Sequence, residues 1–215
     1  MSKGQKIEAP KIAANLSKAN FHDLYHEEEP QLINCMVTGS RADEVEINKL
    51  ILSGVVFKNV TFLDAKLHRI DMTDVVFENC DLSNARFSEG IIHRVSFRDC
   101  KLMGVDFSDA NLGNVTFENC MVNFSEFVDA SLKQVAFQQS TLQSANFYDS
   151  KLTKVKLTEC DLNDAHFEQT LLKGIDISTC RFERLNVSIE SLAGCEVSPE
   201  QAIGFASLIG LKVKQ

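Results

Sequence analysis

One apolar residue in every five, held in phase for most of the chain, limits what this sequence can fold into. From Phe57 the series runs Phe62, Leu67, Met72, Phe77, Leu82, Phe87, Ile92, Phe97 and Leu102, and continues without a polar member to Val197. Backwards it passes through Leu52, Ile47, Ala42 and Val37 to Leu32. A second column, two residues earlier, holds small or branched side chains such as Val75, Cys80, Ala85, Val95, Cys100 and Val105. Residues between the columns are mostly polar. A helix needs a period near 3.6 and a strand a period of 2. A five-residue period fits a chain that turns a corner at every unit, with two inward positions per side.

A slower beat sets the number of sides. Val55, Val75, Val95, Val115 and Val135 recur every twenty residues. So do Phe57, Phe77, Phe97, Phe117 and Phe137, and Cys80, Cys100 and Cys120 with Ser140 next in the row. Four units therefore make one turn, and equivalent residues stack. The expected fold is an all-β solenoid, a quadrilateral parallel β-helix with turns about 4.8 Å apart. From residue 32 to 197 the phase gives a rod of roughly 40 Å by that spacing.

The ends depart from the repeat. Residues 1–13 form an N-terminal segment. Units at 14–18 and 19–23 place Leu16 and Phe21 one residue out of register with Leu32. An acidic bulge or loop at 24–31 follows, with Glu27, Glu28 and Glu29 as a possible contact loop. The repeat is assigned to 14–197 and a short helix with its tail to 198–215. Ser198 is the N-cap, Pro199 opens the helix, Gln201 completes a capping box and Gly210 ends it. Phe205, Leu208, Ile209, Leu211 and Val213 supply apolar contacts for capping the open core or pairing with a second copy.

Composition narrows function. The net charge of −8 opposes direct binding to DNA or to an anionic membrane. No apolar run reaches membrane-spanning length, and residues 1–14 lack the apolar core of a signal peptide. A cytoplasmic protein is expected. The cysteines at 35, 80, 100, 120, 160, 180 and 195 all fall in the small inward column, which reads as packing rather than metal or redox use. No phosphate loop, nucleophile elbow or HExxH occurs. The expectation is a protein without catalytic residues, metal or cofactor. Between Gly104 and Asp149, Lys133 is the lone basic residue against Asp106, Asp109, Glu118, Glu126, Asp129 and Asp149. Glu89, Asp109, Asp129 and Asp149 share one outward position, and with Asp106 and Glu126 they form an acidic face for a protein partner.

Units such as AlaAsnLeu at 110–112, AlaAsnPhe at 145–147 and CysAspLeu at 80–82 and 160–162 follow the form Ala-(Asp/Asn)-Leu-x-x. The chain resembles the pentapeptide-repeat proteins. In size and C-terminal helix it resembles the Qnr-type and mycobacterial fluoroquinolone-resistance proteins of that family. The resemblance implies a right-handed β-helix and a rod-like homodimer joined through C-terminal helices. It also implies a DNA-mimicking partner of DNA gyrase and topoisomerase IV that protects them from quinolones. The alternative is a pentapeptide-repeat scaffold with another protein partner or a structural role. Qnr-type proteins of Gram-negative bacteria carry loops projecting from the rod, whereas here the phase from 32 to 197 leaves no room for one.

Overall fold

The computed structural model describes residues 6–214. Its strands are β1 (Ser17–Lys18), β2 (Gln31–Ile33), β3 (Cys35–Thr38), β4 (Ile51–Lys58), β5 (Asp71–Glu78), β6 (Ile91–Arg98), β7 (Asn111–Glu118), β8 (Ser131–Gln138), β9 (Lys151–Thr153) and β10 (Lys156–Thr158). All pair in parallel. From β4 onward every partner lies twenty residues away, as in Phe57↔Phe77↔Phe97↔Phe117↔Phe137. Single bridges continue that offset on the other two sides, for example Thr61↔Asp81↔Lys101 and Lys66↔Arg86↔Asp106. The quadrilateral β-helix expected from the twenty-residue beat is the fold. We number its sides by the turn at 50–69: side one is 50–54, side two 55–59, side three 60–64 and side four 65–69, each recurring every twenty residues.

The interior consists of two ring ladders. On side two, Phe57, Phe77, Phe97, Phe117 and Phe137 stack with centroids 4.6–5.0 Å apart and near-parallel planes. On the opposite side four, Phe107, Phe127, Phe147 and Phe167 stack 4.6–5.0 Å apart. The ladders meet edge to face, as in Phe117 against Phe127 at 90°. Offset stacks and T-shaped pairs are both favourable for aromatic quadrupoles. Leu and Ile from sides one and three fill the remaining width, and nearly all of these side chains are solvent-free.

The small column performs a second task. Several of its hydroxyls and thiols donate to a backbone carbonyl of the neighbouring turn. Ser125 Oγ reaches Leu102 O at 2.6 Å, Ser150 Oγ reaches Phe127 O at 2.6 Å, and Thr170 Oγ1 bonds Phe147 O. Cys120 and Cys160 donate to Phe97 O and Phe137 O at 3.5 and 3.4 Å. Buried polar atoms are thereby satisfied. The hydrogen bond with Cys120 and burial push the Cys100 thiol up to about 12, and burial pushes Cys195 up to about 11. Such thiols are un-ionised at neutral pH.

From Asn34 to Gly174 every corner places its residue in the left-handed region. Asn59, Asp64, Arg69, Asp74, Asn79 and Asn84 are typical, with φ between 52° and 60°. Asn, Asp and Gly enter this region most cheaply, and they dominate the corner positions of the sequence. The regularity ends near residue 184, beyond the last left-handed corner residue of the regular series. One side of the final turn is instead a single helical turn, α1 (Ile189–Leu192), capped by Ser188. A second helix, α2 (Pro199–Phe205), follows with the Ser198–Gln201 capping box and Pro at its start. Residues 206–209 tighten to a 3₁₀ turn, and Gly210 closes it with φ 76°.

Both ends are plugged. At the C-terminus, Gln201 Nε2 donates to Ile177 O and Cys180 O, both at 2.9 Å, covering carbonyls left open by the last turn. Phe205 packs on Phe182 with centroids 5.7 Å apart. At the N-terminus, Phe21 is fully buried against Phe57 and Phe62. Here the register differs from the rest: Ser17 pairs with Cys35, eighteen residues on rather than twenty. That offset puts Ala19, not Leu16, against the core, while Leu16 lines an outer groove with Met36, Val56 and Val76. The unit at 14–18 is therefore no core-facing repeat.

Candidate protein-binding face

Residues 6–13 lie as an extended arm along the corner between sides one and two. Lys6 O accepts from Gln134 Nε2 at 3.4 Å, Glu8 N donates to Asn114 Oδ1 at 3.0 Å, and Lys11 N donates to Asp74 Oδ1 at 2.8 Å. Five residues thus descend three turns, as an extended strand can. Asp74 also receives two bonds from Arg94, at 2.6 and 2.8 Å, and Arg94 lies 4.0 Å from Glu8. The Arg94 guanidinium holds the Asp74 carboxyl below the usual carboxylate range. Outward residues of side two are consequently covered: Ala136, Ser96, Val56 and Val76 point away from the core yet are buried.

Among the described residues no such arm lies along side four. Its outward rows hold Asp106 and Glu126 at one position and Glu89, Asp109, Asp129 and Asp149 at the following corner. Asp106 and Glu126 bridge directly across adjacent turns. The four corner residues all have positive φ, between 52° and 59°, and are exposed. Two carboxylates per turn at 106/109 and 126/129 give about one charge per 2.4 Å of axis at a rise of roughly 4.8 Å. Duplex DNA carries one per about 1.7 Å.

Several charges elsewhere are neutralised from turn to turn. Lys58–Glu78, Lys66–Glu46, Arg94–Asp74, Arg98–Glu118, Lys101–Asp81, Arg181–Asp161 and Arg184–Asp164 are all ion pairs across one turn. Glu89 is paired in the same way with Arg69 at 2.9 Å. Among the described residues Asp106, Asp109, Glu126, Asp129 and Asp149 take part in no ion pair. Their recorded partners are neutral: Ser108 N to Asp106 at 2.9 Å and Asn146 Nδ2 to Glu126 at 2.8 Å. Corner geometry explains Asp at 109, 129 and 149 as well as Asn would, and Asn114 and Asn119 show that Asn serves. Conformation therefore does not require the charge, and Asp106 and Glu126 are not at corners at all.

Other sequence-predicted residues lie elsewhere. Glu27, Glu28 and Glu29 are exposed between the 3₁₀ segment Phe21–His26 and β2. They are not joined to the acidic face, because Lys49 and Arg69 occupy the intervening turns of that corner row. Leu208, Ile209, Leu211 and Val213 are exposed at the C-terminal end. Phe205 is half-buried beneath them and belongs to the cap. Among the described residues no group of three His, Cys, Asp or Glu could hold a metal ion, and no helix is long and apolar enough to cross a membrane.

The family model for a pentapeptide repeat region matches residues 70–147. The matched stretch contains Asp106, Asp109, Glu126 and Asp129. Among solved structures, the chain is similar to a trypsin-treated variant of QnrB1, described as a plasmid-mediated fluoroquinolone resistance protein. Identity is 20%, the match covers 86% of this chain and 99% of that one, and the TM-score is 0.39. Full-length QnrB1 matches at 13% identity over 82% and 100% of the two chains, with a TM-score of 0.36. HetL, a pentapeptide repeat protein involved in heterocyst differentiation regulation in the cyanobacterium Nostoc sp., matches at 16% identity. Its coverage is 78% and 87%, with a TM-score of 0.31. No curated protein matches.

Proposed function

We propose that this chain is a non-enzymatic binding protein whose side four imitates the charge of duplex DNA and engages the basic DNA-binding groove of a type II topoisomerase. The observation that supports this reading is the run of unpaired carboxylates on Asp106, Asp109, Glu126, Asp129 and Asp149. These residues adjoin one another along one side, whereas Glu78, Asp74, Asp81 and Glu118 are each paired with a basic side chain one turn away. Leaving like charges stacked opposes folding, and a basic groove would turn that cost into attraction and faster encounter. A second copy joins at the C-terminal end, where Ile189, Leu208, Ile209 and Leu211 line an apolar groove. The protein acts in the cytoplasm. Protection of the enzyme from quinolones is the expected consequence of occupying that groove.

Supercoiling by purified gyrase, with and without this protein and a quinolone, tests the proposal. Inhibition of supercoiling or relief of quinolone-induced cleavage is expected. Neither inhibition, relief nor binding would reject the topoisomerase as partner. Sedimentation of the chain with and without residues 199–215 reports on the pairing.

A further inference from the structure

The acidic side has an apolar margin. Met103, Met121 and Phe124 project from side three and its corner with side four, and are 38%, 42% and 57% exposed. They come from two adjacent turns held together by Leu102 N to Met121 O at 2.7 Å and Gly104 N to Asn123 O at 2.9 Å. Asp106 and Glu126 follow two residues after Gly104 and Phe124. The apolar group therefore borders the unpaired carboxylates directly.

Phe124 is the unexpected member. Its φ is 60°, and among the described left-handed residues it is the sole aromatic. The same corner row elsewhere carries Glu44, Asp64, Asn84, Ser144 and Asp164. A bulky side chain is disfavoured in this region. Its ring also stands outside both Phe ladders and in solvent. Backbone conformation and exposure both count against Phe here, since among the described residues nothing covers more than half of it.

We infer that Phe124 is the apolar anchor of the acidic side. The partner surface it fits is basic at its rim and opens into an apolar cleft that takes the ring. Met103 and Met121 flank it as adaptable contacts. This inference rests on the reading of side four given above. The carboxylates steer and orient the encounter, while the desolvated ring supplies short-range affinity, as aromatic residues do at the centres of protein interfaces. DNA presents no such ring, so the partner recognises more than charge.

The test uses the full chain carrying Phe124→Asn, a residue that suits the corner. Its melting temperature is expected to equal or exceed that of the wild type. A fall of more than about 5 °C would make the ring a packing element and overturn the inference. Binding to purified gyrase is then measured at two salt concentrations. The expected result is at least about tenfold weaker affinity with an unchanged salt dependence. Wild-type binding with an unaltered Phe124→Asn affinity would overturn the anchor and leave the reading of side four intact. Absence of wild-type binding would overturn that reading and the anchor with it.

Discussion

Sides two and four have the same interior and opposite exteriors. Both line the core with stacked Phe rings about one turn apart. Side two then buries its outward row of Val56, Val76, Ser96 and Ala136 beneath the N-terminal arm. Side four keeps Asp106 and Glu126 half-buried in its outward row and exposes Asp109, Asp129 and Asp149 at the following corner. An identical inner pattern thus fixes the fold without fixing what each side meets. In a solenoid the inward columns are constrained by neighbouring turns, and the outward columns are free to diverge.

The largest effect should fall on the shared interior. Phe117→Ala and Phe127→Ala remove rings from the centre of each ladder, and each should cost about 3–5 kcal/mol through lost transfer energy and the cavity left behind. Chemical denaturation measures this, and equal losses are expected for the two sides. A loss on one side only would show that the ladders are not equivalent.

Removing residues 1–13 separates the two sides. It deletes the bonds to Asn114 and Asp74 and uncovers Val56 and Val76, so a loss of about 1–3 kcal/mol is expected. Proteolysis should then reach side two before side four. Unchanged stability would mean that the arm contributes nothing as a cover.

A smaller effect is acid-dependent. Asp74 has a lowered carboxyl pKa, owed first to Arg94, so its contribution is present above the ordinary Asp value near 3.9. It is lost as pH falls through the lowered folded value. Asp74→Asn should remove that part of the acid sensitivity, at a cost of about 1 kcal/mol at neutral pH. Melting curves at pH 7 and below pH 3 compare the two.

The interior of this molecule was legible in its sequence because inward positions repeat in strict phase. The acidic row was legible as well, since an outward position repeated every twenty residues places Asp109 over Asp129. The left-handed corners do not follow from the repeat period, although Asn59, Asp64, Asn79 and Asn84 carry the signal. The arm does not follow from it either. Its clue was Val56, Val76 and Ala136 at outward positions, which require a cover, but Ile7 and Ile12 belong to no repeat and so announce no register. Ala19 rather than Leu16 meets the core because the first turn is two residues short. Lone pairs such as Arg69–Glu89 depend on rotamers that a repeat does not specify.

In the proposed function side four binds through charge that folding does not need. The most direct measurement compares gyrase affinity and melting temperature for wild type and for Asp109→Lys/Asp129→Lys. The expected result is at least about tenfold weaker affinity, a flatter salt dependence, and stability within about 0.5 kcal/mol per site. Unchanged affinity in a folded double variant would contradict it.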